Sequence, residues 1–116
     1  MRTFHDAVVV RFATLLDRIE IDIEGVSNYD GDESTRETGK LIVEGISCFT
    51  ENDEPVAAPT FKFDDGQILE LEMHDRGLKL LVEWENYSLN SIEVAEYEIN
   101  GDSVRWVPEA PGSSRA

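Results

Sequence analysis

The sequence predicts an all-β fold: an antiparallel meander of roughly seven strands, whose curved sheet closes as a barrel or a sandwich, with little or no helix. Three observations predict it. Aliphatic and acidic residues alternate at 19–24 and again at 69–73, as in strands with one buried and one solvated face. The dipeptide Asn100-Gly101 is typical of a β-hairpin turn. Gly25 and Gly45 each interrupt an alternation, which indicates β-bulges that bend the strands.

The first two strands are best predicted from their pairing. Residues 7–15 could form an amphipathic helix, but three consecutive valines favour a strand. A two-residue link at Leu16-Asp17 gives a hairpin that buries the apolar side chains and pairs opposite charges. This register sets Phe12 opposite Ile21, Val10 opposite Ile23 and Arg11 opposite Asp22.

The middle of the chain is predicted from its polar and proline-containing segments. Residues 30–39 are polar throughout and predict a loop, and 51–59 predict a second loop because Pro55 and Pro59 cannot donate to a ladder. Residues 61–63 predict a short strand.

A hairpin is predicted at 67–87, turning at Asp75-Arg76-Gly77. A three-residue loop would oppose Leu69 to Glu83, whereas an even loop centred on Arg76-Gly77 places every large apolar group on one face. Hydrophobic register favours the even loop. It sets Leu69 opposite Trp84, Leu71 opposite Val82, Met73 opposite Leu80 and, on the outer face, Glu70 opposite Glu83.

The last hairpin is predicted to turn at Asn100-Gly101 and to end at Pro108. Its register pairs Tyr97 with Val104, Ala95 with Trp106 and Glu96 with Arg105. We therefore expect one domain at 1–108, followed by a flexible C-terminal tail at 109–116.

Charge and cysteine content limit the classes of function and the compartment. Ten basic against 25 acidic residues give a net charge of −15, which argues against binding to nucleic acid or to an anionic membrane. The same charge is compatible with a basic protein partner. The single cysteine, Cys48, excludes an internal disulfide, and we recognise no signal peptide or membrane-spanning segment. We expect a cytoplasmic, bacterial protein.

Catalytic and metal-binding patterns are weak in this sequence. His5, His74 and Cys48 lack the paired spacing of a zinc site, and no serine lies in a nucleophile elbow. Asn28, Asp30 and Asp32 alternate as in a calcium loop, but the glycine and glutamate that such a loop needs are missing at its sixth and twelfth positions. We predict no cofactor, no metal and no enzymatic activity, and for His5-Asp6 a turn that anchors the first strand.

One short phrase carries a resemblance to known proteins. Phe4-His5-Asp6-Ala7, followed by a valine-rich strand and by Leu41-Ile42-Val43-Glu44-Gly45-Ile46, resembles a loose group of small bacterial all-β proteins. Some members of that group look like immunity proteins, which bind and neutralise a cell's own secreted toxins. The resemblance covers about the first 50 residues, and it implies binding rather than catalysis.

These observations lead to a functional hypothesis. We expect a non-enzymatic binding module that docks a basic protein through an acidic sheet face, at Glu70, Glu72, Glu83 and Glu85. Two alternatives stay open: a structural or oligomerisation β domain, for example a homodimer, and a barrel that binds a small apolar ligand between Trp84 and Trp106.

Overall fold

The structure is a computed structural model that describes residues 2–30, 33–56, 65–86 and 89–109. These ranges contain ten β-strands and no helix. The strands are β1 (Arg2–Thr3), β2 (Val8–Leu15), β3 (Arg18–Asp30), β4 (Glu33–Glu44), β5 (Cys48–Glu51), β6 (Glu54–Pro55), β7 (Asp65–His74), β8 (Gly77–Asn86), β9 (Ser91–Asn100) and β10 (Ser103–Pro108).

All ten strands belong to one antiparallel sheet that folds over on itself. Its order is β10-β4-β3-β2-β7-β8-β9-β5-β6, with β1 paired to β3 beside this path. Only two residue pairs, Val8 with Gln67 and Val9 with Gly66, join β2 to β7. The sheet folds there, so that β1, β2, β3, β4 and β10 face β5 to β9 across a common core. The all-β, antiparallel prediction is confirmed, but closure into a barrel and a count of seven strands are wrong.

The core is filled by the inward side chains of both halves. Trp84 and Tyr97 are its largest fully buried residues, and Trp84 Nε1–H donates a hydrogen bond of 3.0 Å to Tyr97 Oη. The Phe12 ring, from the opposite half, lies 5.4 Å from the Tyr97 ring. Because Trp84 packs into this core and the sheet is not closed, the premise of a barrel lined by two tryptophans is not met.

The chain crosses between the two halves at a single corner. The link from β4 to β5 and the link from β9 to β10 lie side by side there, joined by backbone hydrogen bonds. Asp102 N–H donates to Glu44 O at 2.7 Å, and Ser47 N–H donates to Asn100 O at 2.9 Å. Gly101 N–H donates to Arg76 O at 2.8 Å. Gly101 is buried, and a Cβ there would lie 2.5 Å from Glu44 O, so no larger residue fits without displacing the backbone.

This corner contradicts the predicted last hairpin. β10 pairs with β4, not with β9, so Trp106 lies opposite Leu41 and Arg105 opposite Ile42. A type I′ hairpin turn needs positive φ at both central residues, and neither Asn100 nor Gly101 has one. The Asn-Gly dipeptide therefore marks the crossing of the chain from one half of the sheet to the other. The predicted meander, in which each strand pairs with the next one along the chain, is wrong as well.

The first hairpin is confirmed with one correction. Phe12 lies opposite Ile21 and Arg11 opposite Asp22, as predicted. A register shift between Val9 and Arg11 sets Val9, not Val10, opposite Ile23, and Val10 is exposed.

The two glycine bulges have different outcomes. Gly25 has a φ of +76° and lies within the register shift between Ile23 and Val26, which confirms the first bulge. Gly45 has a φ of +65° but follows the last residue of β4, so it ends a strand at the corner and the second predicted bulge is wrong.

The predicted loop at 30–39 is also wrong, because β3 continues to Asp30 and β4 begins at Glu33. Tyr29 pairs with Ser34 and Val26 with Glu37 in this extended hairpin. Residues 33–36 are all exposed. Both faces of the strand meet water there, and this is why its residues are polar like those of a loop.

The register of β7 and β8 differs from both predicted alternatives. The turn is Asp75-Arg76, with His74 opposite Gly77. A bulge at Leu69 shifts the register, so that Glu70 lies opposite Leu81 and Trp84 opposite Gly66. The sequence rule assumed an unbroken alternation, whereas the bulge lets Ile68 and Leu71 both face the core.

The Phe4-His5-Asp6-Ala7 phrase anchors this bulge. His5 Nδ1–H donates to the carbonyl oxygen of Leu69 at 2.8 Å, and Asp6 N–H donates to Ile68 O at 2.9 Å. Asp6 has a φ of 69°, Ala7 is fully buried, and Phe4 packs edge-on against Trp106, at 5.1 Å between ring centroids. The predicted turn contact of His5-Asp6 is confirmed as a structural one.

The remaining predictions concern the loops and the ends of the chain. Within the predicted loop at 51–59, Pro55 lies in the two-residue edge strand β6, opposite Thr50, so part of that prediction is wrong. The strand predicted at 61–63 and all of the tail except Glu109 lie outside the described residues.

Replacing Gly101 with alanine should lower the free energy of unfolding by roughly 1–3 kcal/mol, because the new methyl group collides with the β4 backbone. Urea unfolding measures this change. Ser103→Ala at the same corner is the control. Because Ser103 is exposed, this substitution should lower the free energy of unfolding by less than about 0.5 kcal/mol. Equal stability of G101A and the wild type would contradict the close approach at the corner.

Tyr97→Phe should destabilise the protein at neutral pH but make it less sensitive to alkali. It removes the oxygen that accepts from Trp84, a loss of about 1 kcal/mol. Burial, the largest cause, raises the pKa of the Tyr97 phenol, so above about pH 10 only the unfolded state ionises and stability falls.

Urea unfolding between about pH 8 and pH 12 should therefore show a shallower loss for Y97F than for the wild type. Tyr29→Phe is the control, because Tyr29 is half exposed. If Y97F and the wild type lose stability in parallel over this range, the buried phenol does not titrate as described.

Candidate functional site

The candidate site is the outer face of β7, β8 and β9, called the acidic face below. Core-facing residues alternate along these strands with outward-facing ones, and six of the outward positions are glutamates. The acidic face is defined by Glu70, Glu72, Glu83, Glu85, Glu96 and Glu98.

The structure brings the four predicted site residues to this one face but pairs them differently. Glu70 lies opposite Leu81, and Glu83 lies between Gln67 and Val94, so the predicted like-charge pair of Glu70 with Glu83 is wrong. Instead, Glu70, Leu81 and Glu96 lie in one row across β7, β8 and β9, so that Leu81 separates the two glutamates.

Sequence reasoning missed Glu96 and Glu98. It assigned Glu96 to Arg105 through the wrong last hairpin. The alternation of glutamate with buried residues at 95–99 could have revealed both, since it repeats the pattern that marks β7.

Lys79 is the one lysine or arginine in β7, β8 and β9. It lies between Glu72 and Glu98 in register, and its Nζ is 3.9 Å from Glu96 Oε2, at the limit of an ion pair. One cation among six glutamates leaves this face strongly negative.

A shallow concavity of about 110 Å³ lies at the centre of the acidic face. It is lined by Leu81 and Lys79 and by Glu70, Glu72 and Glu96. Small-molecule sites usually enclose about 300–1,000 Å³, so this depression is smaller than a typical small-molecule site.

Apolar side chains are exposed at the β9 side of the acidic face. Ile92 lies opposite Glu85 and Val94 opposite Glu83, and they are 63% and 48% exposed. Both are outward-facing, so neither contributes to the core. Ile92 and Val94 therefore form an exposed apolar strip bordered by acids.

The outer face of β2, β3, β4 and β10 has the opposite character and is called the compensated face below. Three of its acids form ion pairs with four bases. The ion pairs are Arg11 Nε to Asp22 Oδ2 at 3.0 Å, Arg18 Nη2 to Glu20 Oε2 at 2.8 Å, Lys40 Nζ to Asp22 Oδ1 at 2.9 Å and to Glu20 Oε1 at 3.3 Å, and Arg105 Nη2 to Glu44 Oε1 at 3.1 Å.

Lys40 is the centre of the compensated face. Its hydrogen bond to Asp22 raises the pKa of Lys40 above the ordinary value, and Glu20 raises it further by a smaller amount. Partial desolvation of Lys40 acts in the opposite direction. Ile42, between Glu20 and Arg105 in register, is only 7% exposed although it points outward. The charged neighbours of Ile42 leave it far less accessible than Ile92 or Val94.

Arg105 accounts for part of this difference between the two outer faces. The predicted pairing of Arg105 with Glu96 is wrong, because the corner carries β10 to β4 and places Arg105 against Glu44. The acidic face thus lacks a base that a local hairpin would have given it.

Over 2–30, 33–56, 65–86 and 89–109, no group of three or more histidine, cysteine or acidic side chains is arranged to hold a metal ion. The same ranges contain no helix with the length and apolar character needed to cross a membrane.

In comparisons with known proteins, no family model, no curated protein and no solved structure matches this chain.

Proposed function

We propose that this protein is a non-enzymatic binding module that docks a basic protein through its acidic face. The observation that supports the proposal most strongly is the difference between the two outer faces. One folded sheet carries a face on which three acids pair with four bases at 2.8–3.3 Å, and a second face with six glutamates and one lysine.

Uncompensated acids have a cost that a basic partner relieves. Two unit charges about 7 Å apart, the spacing of alternate residues on a strand, repel by about 0.6 kcal/mol in water and less in salt. One pair is unimportant, but the repulsion is repeated along three adjacent strands. Basic side chains from a partner would convert that repulsion into attraction and would speed association.

The exposed apolar strip supports a protein partner over a small cation. Val94 and Ile92 offer contact area that a protein partner would remove from water, and the concavity over Leu81 fits one of its side chains. A metal ion or a polyamine would use the carboxylates and leave this area exposed.

The resemblance of Phe4-His5-Asp6-Ala7 to bacterial immunity-like proteins fits the same proposal. The basic partner would then be a toxin, and the protein would act in the bacterial cytoplasm. The phrase itself anchors the β7 bulge, so it supports a shared fold more directly than a shared binding site.

Neutralising the acidic face with Glu70→Gln, Glu72→Gln and Glu83→Gln should raise the melting temperature in low salt by roughly 2–6 °C, because like-charge repulsion is removed. The gain should shrink in high salt. The matched control is Glu33→Gln, Glu54→Gln and Glu109→Gln, which changes the net charge equally but at three exposed positions outside the acidic face. Calorimetry in low and high salt measures both.

The same two triple variants test the binding itself. Immobilised wild type and control should retain the same basic protein from a lysate of the native host, identified by mass spectrometry, and the acidic-face variant should lose it. Retention of that protein by all three, or recovery of no basic protein by the wild type, would contradict the proposed function.

A further inference from the structure

Among the described residues, one edge of β9 is open over part of its length. Along one side, β9 pairs with β8 over its whole length, from Ser91 to Asn100. Along the other side, β5 covers only Tyr97–Asn100. Beyond β5, Asn52 N–H donates to Glu96 O at 2.7 Å, and Asn52 Oδ1 accepts from Glu96 N–H at 2.9 Å. In the described parts of the chain, no strand pairs with 91–95 on this side.

The direction of the open backbone groups follows from the pairing. The N–H and C=O of Glu96 both point towards the β5 side, where Asn52 binds them. Residues two and four positions away point the same way in an unbroken antiparallel strand, and the β8–β9 register is unbroken. Val94 and Ile92 therefore present two N–H and two C=O groups to the open edge.

This edge differs from the outermost strands of the sheet. β6 has two residues and ends in Pro55, and β10 ends in Pro108, both of which limit further pairing. The β9 edge at 91–95 reads Ser-Ile-Glu-Val-Ala, with β-branched residues and without proline, lysine or a bulge. It has the features of a strand that accepts another strand.

We propose that the basic partner adds an extended segment to β9 as a further antiparallel or parallel strand at Ser91–Ala95. This inference rests on the proposed function and specifies its binding mode. Main-chain hydrogen bonds to Val94 and Ile92 would hold the segment, while its side chains alternate between two environments. Those on the outer face meet the apolar strip and the acids beyond it; those on the inner face meet Glu93 and Ala95.

Charge selects a basic segment over a second copy of this chain. Two β9 edges paired about a two-fold axis would bring the acidic faces of both copies together, and each copy has a net charge of −15. A segment in which lysine or arginine alternates with an aliphatic residue satisfies the edge, the apolar strip and the acids at once.

The test uses two peptides and the full chain. The first is a short, capped peptide in which lysine and valine alternate. The second has the same sequence but carries N-methyl groups on every second amide, so it keeps the charge and loses the donors of one edge. We expect the first peptide to bind, measured by calorimetry at low ionic strength, and the second to bind at least about tenfold more weakly.

Val94→Pro and Val94→Thr form the matched pair of variants. Proline removes the edge-facing N–H without removing a bond to β8, whereas threonine keeps both the N–H and the β-branched shape. V94P should weaken binding of the first peptide at least about tenfold, and V94T less than about threefold.

Hydrogen exchange on the wild type keeps the proposal testable if V94P does not fold. The amides of Ile92 and Val94 should exchange rapidly in the free protein and become protected when the first peptide is added. Protection of these amides in the free protein would overturn the proposal, because the edge would already be covered. A wild-type dimer in sedimentation that V94P abolishes would overturn it in favour of a second copy.

The failure of this inference can be told apart from the failure of the proposed function. If V94P or the N-methylated peptide binds as tightly as its counterpart, while E70Q/E72Q/E83Q weakens binding, strand addition is wrong and docking on the acidic face stands. If neither V94P nor E70Q/E72Q/E83Q weakens binding, both proposals are wrong.

Discussion

The corner at which β4 passes into β5 and β9 passes into β10 determines the rest of this structure. Both crossings run through one small volume, where Asp102 binds the carbonyl of Glu44, Ser47 that of Asn100, and Gly101 that of Arg76. The two links thereby fix each other, and the absence of a side chain at Gly101 allows the backbones to approach. With β10 held against β4, the sheet must fold over at the two-pair junction of β2 with β7, and the halves enclose a core centred on Trp84 and Tyr97.

The distribution of charge follows from that topology. If β10 paired with β9, Arg105 would lie near the glutamates of that half. Because the corner places β10 beside β4, Arg105 lies in the other half and binds Glu44. The compensated face then contains the ion pairs of Lys40 with Glu20 and Asp22 and that of Arg105 with Glu44, whereas the acidic face has only the long contact of Lys79 with Glu96. Surface ion pairs contribute little individually, so the difference between the faces has little effect on stability. In the proposed function, the face with fewer ion pairs is the side that would meet a basic partner.

Local patterning in the sequence predicts much of this fold and less of the site. Alternation predicts β2, β3, β7 and β8, and opposite charges predict the pairing of Arg11 with Asp22, because these features depend on residues close in the chain. The long β3–β4 hairpin and the corner are not predicted, since a strand solvated on both faces looks like a loop and Asn100-Gly101 has the same composition in a hairpin and in a crossover. The four predicted glutamates do share one face. Glu96, Glu98 and the open edge at Val94 depend on which strand β10 joins, and that is a non-local choice.

The difference between the two outer faces is measured most directly by the proton relaxation that a cationic and an anionic nitroxide co-solute induce in the free protein. Each probe is attracted to surfaces of opposite charge, so the ratio of the two effects reports the local potential. At the methyl and amide protons of Leu81 and Val94, the cationic probe should act much more strongly than the anionic one. At Ile42 and Ser103, on the compensated side, the two probes should act nearly equally. The same ratio on both faces would contradict a preferred acidic side and, with it, the basis of the proposed function.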